Sequence, residues 1–243
     1  MKIATWNLDR PSPQNEVKIA AQLKCIHEQS ADLWILTETH AAIDLGTGYH
    51  SAATDPSPRK PRPGESCAVI WARWPILERI PTYDEREAVC VVMNSPLGEM
   101  VVYGSIIPYR DYLGPDGTSG RWVEHRRSID LHRQDWSRIR ADHPSRHFVA
   151  GGDFNQNRDG AGWYGTQENR ELLTNALKEA GLVCATQEDF VQSGKLKVRH
   201  TVDHICLDED LAGAVSSVGA WERENADRLR LSDHSGVYVV VSR

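Results

Sequence analysis

The stretch Gly151-Gly152-Asp153-Phe154-Asn155 sets an acid and an amide two residues apart behind two glycines. It follows the apolar run His147-Phe148-Val149-Ala150, so it reads as a buried strand that delivers polar side chains to a sheet edge. The glycines let the backbone turn sharply or approach a ligand closely. Asp153 and Asn155 point to the same side of such an edge. That pair suits a phosphate site, with the carboxylate orienting water or metal and the amide donating to an oxygen. The same pair also makes an ordinary Asx-turn, and the stretch alone does not choose between the two.

Other polar residues sit at the ends of apolar runs: Asn7 and Asp9, Glu38, Asp203, and Asp233 with His234. Singly, each reads as a cap or a solvated turn. With Asp153 and Asn155 they make five such positions, which are harder to dismiss together, because strand ends on one edge of a sheet converge in space.

The elements that must position these residues follow from periodicity. Lys2 to Leu8 alternates as a strand, with Ile3, Thr5 and Asn7 on one face. Gln14 to Gln29 has Ile19, Leu23 and Ile26 at helical spacing, and Asp32 to Thr37 is a second apolar strand. Short apolar runs at Cys67–Ala72, Ala88–Met93 and Met100–Ile107 suggest antiparallel strands. Ser119 to Ala141 reads as a helix carrying Trp122, Ile129, Trp136 and Ile139, and Glu168 to Ala180 as another. Strands are expected at Val183–Thr186, Thr201–Leu207, Ala214–Trp221 and Val237–Val241. No repeat or linker divides the chain, so residues 1–243 read as a single domain with helices outside two packed sheets.

Composition narrows the class. The chain has 243 residues, 40% hydrophobic and 26% charged, with a net charge of -6. This is an ordinary globular composition. An acidic protein binds nucleic acid only through a local basic face. No apolar stretch is long enough to span a bilayer, which argues against a membrane protein, and no secretory leader opens the chain. The five scattered cysteines, with no C-x-x-C pair, read as core residues of a reducing, cytoplasmic compartment. Most of the tryptophans read as core, and Trp163, in a Gly-rich loop, as exposed. The basic, proline-rich loop 55–64 reads as solvated surface more readily than as a phosphate-facing loop. His27, His132 and His147 read as surface or satisfied core positions. His204 should point away from Asp203's side of its strand, and His40 is ambiguous.

Five segments carry a resemblance: Thr5-Trp6-Asn7-Leu8-Asp9, Leu36-Thr37-Glu38-Thr39, Gly151 to Asn155, Val202-Asp203-His204-Ile205 and Ser232-Asp233-His234. In their order and span the chain resembles the endonuclease/exonuclease/phosphatase superfamily of metal-dependent phosphoesterases. Its members include deoxyribonucleases, abasic-site endonucleases, sphingomyelinases and inositol-polyphosphate phosphatases. The resemblance implies a four-layer α/β sandwich with two central mixed β-sheets flanked by helices. It implies Mg2+ as cofactor, with Mn2+ acceptable to oxygen and amide ligands. Glu38 would be the main metal ligand, with Asp9 and Asn7 close by and Asp233 reaching the metal or a bound water. Asp153 would orient or deprotonate the attacking water, Asn155 would hold a phosphate oxygen, and His234 would contact the phosphate. Asp203 would fix the His234 tautomer. Attack would come directly from water, because no Ser or Cys sits in a nucleophile motif.

One departure stands out. The family has a Tyr or His before the proline of the strand that precedes the central loop; here Ser105-Ile106-Ile107-Pro108-Tyr109 occupies that place. Tyr109, or His125 and Arg126 from the following helix, are the substitutes considered, with Tyr109 and Arg126 assigned to substrate binding. The segment Ser193 to His200 is basic and lacks the aromatic recognition loop of abasic-site endonucleases. An intracellular nuclease or phosphodiesterase is the leading expectation, with nucleic acid or another phosphodiester as substrate. A phosphomonoesterase acting on a lipid head group or inositol, and a non-catalytic scaffold, are the rivals.

Overall fold

In the computed structural model the chain is described over residues 1–56 and 62–242. Its elements are β1 (Lys2–Asn7), α1 (Glu16–Gln29), β2 (Leu33–His40), β3 (His50–Ala53), β4 (Glu65–Ala72), β5 (Ile76–Ile80), β6 (Ala88–Ser95) and β7 (Gly98–Ile106). They continue with α2 (Val123–Asp142), β8 (His147–Asp153), α3 (Gln167–Glu179), β9 (Leu182–Cys184), β10 (Asp203–Asp208), α4 (Glu209–Gly213), β11 (Val215–Trp221) and β12 (Gly236–Val241).

Two six-stranded sheets result, ordered β11-β12-β1-β2-β4-β3 and β5-β6-β7-β8-β10-β9. Both are mixed: β1 runs parallel to β2 and β7 parallel to β8, and antiparallel pairs make up the rest. The period-2 alternation of each strand sorts its side chains between two cores. Ile3, Ile35, Ile70, Val89, Val102, Ile205 and Val239 meet in the core between the sheets. Ala4, Trp6, Trp34 and Leu36 face the other way and pack against Ile19 and Ile26 of α1. On the far side, Cys90, Val101, Tyr103 and Phe148 pack against Ile129, Trp136 and Ile139 of α2 and Leu173 and Leu177 of α3. Helix, sheet, sheet and helix pair make the four layers of an α/β sandwich.

Several details differ from the expectation. Trp122 does not begin α2 as a helical residue; it sits before it at φ 64, and the first helical residue is Val123. The strand ending at Ile106 is antiparallel to β6 but parallel to β8. β3 and β5 are edge strands that the apolar pattern did not reveal. Of the loop 55–64, Arg59 and Lys60 lie outside the described residues, and Arg62 pairs with Glu65 at 3.1 Å. The five cysteines are free among the described residues, and three of them are buried.

The topology brings the polar strand ends to one edge. Parallel pairing sets Asn7 opposite Thr37, one residue before Glu38. In the second sheet Asp153 pairs with Ile106 on one side and Asp203 on the other. The segment carrying Asp233 and His234 leads into β12, which pairs with β1.

Candidate active site

Gly152 shows why β8 ends as it does. Its φ is +131°, and a Cβ there would lie 2.0 Å from the carbonyl oxygen of Ser105. Only glycine lets β8 run this close to β7. The next residue, Asp153, is thereby held buried beside its neighbours. Its Oδ2 accepts from Asn7 Nδ2 at 2.9 Å, and its Oδ1 accepts from the Asn155 backbone N–H at 2.9 Å.

His234 closes the group. Its Nδ1–H donates to Asp203 Oδ2 at 2.6 Å, and its Nε2 lies 4.0 Å from Asp153 Oδ2 and 3.8 Å from Asp233 Oδ1. The segment is pinned to β1 by two bonds and braced by one of its own. Trp6 Nε1 donates to the His234 carbonyl at 2.9 Å, Ser232 Oγ donates to the Asn7 carbonyl at 2.6 Å, and the His234 N–H donates back to Ser232 Oγ at 3.0 Å. Asp153, Asp203 and His234 thus offer three donor atoms within 4.8 Å of one another.

Glu38 stands beside them from the other sheet. The β2–β4 ladder pairs Thr37 with Ala68 and Thr39 with Ser66, while Glu38 between them takes φ 45. Asp9, Arg10 and Asn155 also have positive φ. Four of the non-glycine residues in this costly region therefore surround one site, the distribution expected of a functional constellation. The Arg10 guanidinium lies 3.4 Å from Glu38 Oε1.

Electrostatics tighten the picture. Burial raises the pKa of Glu38, the charge of Asp233 adds to it, and Arg10 and His234 oppose it. Burial pushes Asp153 up to about 7, with the charges of Asp203 and Glu38 adding and His234 opposing. Burial alone would lower the pKa of His234, but the charges of Asp203 and Asp153 outweigh it and lift it to about 10. His234 is therefore an imidazolium at neutral pH. The Asp203 Oδ1 atom is buried with no hydrogen-bond partner among the described residues.

The remaining site residues fall as follows. Asp9 is half exposed and pairs with Lys18 of α1 at 3.1 Å. Asn155 spends its amide on the Ile107 carbonyl at 3.0 Å and Asp153 Oδ2 at 3.1 Å, so it steadies Asp153. Tyr109 is 52% exposed. Arg126 pairs with Glu168 on α3 at 3.4 Å. His125 is buried with Nδ1 2.7 Å from the Pro108 carbonyl, and burial lowers its pKa to about 4, so it braces the loop as a neutral ring. His204 points into the core, with Nε2–H donating to the Gln156 carbonyl at 2.9 Å.

Two neighbours have no signature in the sequence. Arg10, next to Asp9, carries no signal of its own. Tyr164 accepts the Arg110 backbone N–H on its hydroxyl at 3.1 Å. Burial raises its pKa, and the Asp153 carboxylate is among the charges that add to this.

A two-sheet sandwich with carboxylates and an imidazolium gathered at one end of both sheets is the architecture of a hydrolytic phosphoesterase. A sequence profile of the Endonuclease/Exonuclease/phosphatase family matches residues 4–234. The chain belongs to that family. Among solved structures it is similar to an AP endonuclease from Archaeoglobus fulgidus, with 14% identity, all of both chains covered and a TM-score of 0.72. It is similar as well to the 3' phosphatase NExo from Neisseria bound to product DNA hairpin, with 16% identity, full coverage of both chains and a TM-score of 0.71. The endonuclease domain of TRAS1, a telomere-specific non-LTR retrotransposon, matches with 16% identity, 100% of this chain and 98% of that one covered, and a TM-score of 0.66. No curated protein sequence matches the chain.

Proposed function

We propose that this chain is a divalent-metal-dependent phosphodiesterase that hydrolyses nucleic acid by direct attack of water. The observation that carries the reading is the cluster of Asp153, Asp203 and His234 at the paired ends of β8 and β10, with Glu38 adjacent. The core shared by the two sheets supports treating residues 1–243 as one domain. Free cysteines fit a reducing, cytoplasmic setting. Among the described residues no helix is long and apolar enough to cross a membrane.

The residues fit the cation that the family implies. The donors proposed for it are oxygens, Asp203 Oδ1 is buried with no hydrogen-bond partner among the described residues, and burial raises the pKa of Glu38 and Asp153, a cost that a cation would relieve. Glu38 would hold the ion, with Asn7, Asp9 and Asp233 nearby; magnesium, or manganese, suits such a set. When bound, the ion would neutralise phosphate oxygens and stabilise the leaving oxygen.

The chain's own groups supply the rest. Asp153, oriented by Asn7 and Asn155, takes a proton from the attacking water; a group that titrates near neutrality suits that task. His234 directs its free Nε2–H toward a non-bridging oxygen, and its positive charge stabilises the pentacovalent centre. Asp203 holds the ring in place. We assign to Tyr164, whose hydroxyl accepts from the Arg110 N–H, the role of donor in place of the family's Tyr or His.

Hydrolysis of single- and double-stranded DNA and RNA, beside bis-p-nitrophenyl phosphate, tests the reading with magnesium, with manganese and with chelator. Metal-dependent polynucleotide cleavage, lost in Glu38→Ala and His234→Ala, is the expected result. The likeness to a 3' phosphatase favours one second reading, removal of a 3' phosphate from DNA. Release of inorganic phosphate without internal cleavage would support it.

A further inference from the structure

Trp163 lies at the junction of the two loops that frame the cluster. One is the loop leaving β8 after Asp153; the other enters β10 at Asp203, and those two acids are register partners. The ring of Trp163 is 5.9 Å from that of Tyr164 and 6.4 Å from that of His200, three residues before Asp203. It is nonetheless 46% exposed, and the Arg199 guanidinium lies over it at 5.3 Å from the centroid.

The loop that carries this ring is tied down on both sides of it. Asn157 N–H donates to the Tyr164 carbonyl at 3.0 Å, and the Tyr164 N–H donates to Asn157 Oδ1 at 2.7 Å. Asp159 Oδ2 lies 2.6 Å from His200 Nδ1, which ties the two loops together. Gly165 follows at φ +102°, where a Cβ would meet Gln156 Cβ at 2.9 Å. A tryptophan meant only to fill space would be covered; this one is braced and left half open beside a phosphate-cleaving centre. Its partner must therefore be flat, apolar on its face and attached to an anion, with Arg199 as counter-charge.

We infer that Trp163 and Arg199 form a subsite that receives an unpaired nucleobase next to the scissile phosphate. The inference rests on the phosphodiesterase reading and names the substrate feature that the site grips. Every base presents a π-face, so the subsite favours single-stranded or frayed ends over fully paired duplex, with little preference among bases.

The test compares two short single-stranded oligonucleotides of equal length and charge, one with bases and one with base-free tetrahydrofuran sugars. Binding is read by fluorescence anisotropy in chelator, and cleavage is read separately with magnesium. Trp163→Ala is expected to weaken binding of the base-bearing strand by about 5- to 100-fold more than that of the base-free strand, the size of one base–aromatic stack. Trp163→Phe should keep most of the contrast and shows that the loop still folds. An equal effect of Trp163→Ala on both strands, or none on either, overturns the inference. Cleavage by wild type beside an equal effect sinks the subsite alone. No cleavage beside an intact binding contrast sinks the catalytic reading alone.

Discussion

The Nδ1–H of His234 donates to Asp203 Oδ2 across 2.6 Å, and Asp203 is itself the strand partner of Asp153. One β-ladder therefore sets the position of both Asp153 and the acid that holds the His234 ring. Replacing Asp203 with Asn keeps the shape and removes the charge. Asp203→Asn should lower kcat by about 10²- to 10⁴-fold with little change in KM. Steady-state kinetics on bis-p-nitrophenyl phosphate measures this, and a kcat within about twofold of wild type would remove the positioning role.

Asn7 bridges the sheets by donating Nδ2 to Asp153 Oδ2 at 2.9 Å. Asn7→Leu removes one of the two amides that donate to this buried oxygen and leaves it Asn155 Nδ2 at 3.1 Å. In chelator, urea denaturation should show a loss of ~1–3 kcal/mol, the worth of one hydrogen bond to a carboxylate. An unchanged midpoint would mean that the bond from Asn155 suffices.

Gly152 and Gly160 make a matched pair. A Cβ on Gly152 would collide with the Ser105 carbonyl at 2.0 Å, whereas Gly160 at φ +82° has nothing within 4 Å. Gly152→Ala should cost ~4 kcal/mol or more, or prevent soluble expression. Gly160→Ala should cost only ~1–2 kcal/mol of backbone strain. Thermal melts compare the two, and equal losses would contradict the close approach of β8 to β7.

His132 governs a pH effect outside the site. It is fully buried, its Nδ1–H donates to the Ser128 carbonyl at 2.7 Å, and burial lowers its pKa to about 4. The unfolded chain takes up this proton near the ordinary value of 6.5. The stability that His132 contributes is therefore full above 6.5 and is lost as pH falls toward 4. Over that span the loss is about 3 kcal/mol. Denaturation curves between those limits should show a shallower decline for His132→Gln than for wild type, and parallel declines would rule the group out.

The sequence made the site more legible than the surface. Asn7, Glu38, Asp153, Asp203 and His234 were visible because each ends or abuts an apolar run, and strand ends converge on a sheet edge. The alternation of Ile3 and Thr5 against Ala4 and Trp6 foretold which core each would face. β3, with the sequence His50-Ser51-Ala52-Ala53, had no apolar run, because an exposed edge strand buries little. Trp122 kept helical spacing with Ile129 yet ended in a left-handed turn, a choice that spacing does not encode. Tyr164 and the Asp159–His200 tie could not be read, because both depend on how two loops fold against each other.

Initial rates of DNA and bis-p-nitrophenyl phosphate hydrolysis, followed across a magnesium titration for wild type and Glu38→Gln, bear most directly on the catalytic centre. The wild-type rate should be absent in chelator and rise to saturation with magnesium. Glu38→Gln should need more metal and reach a lower plateau, by about 10²-fold or more. Cleavage that persists in chelator, or no phosphodiester cleavage with either magnesium or manganese, would contradict a metal-dependent hydrolytic centre built on Glu38, Asp153, Asp203 and His234.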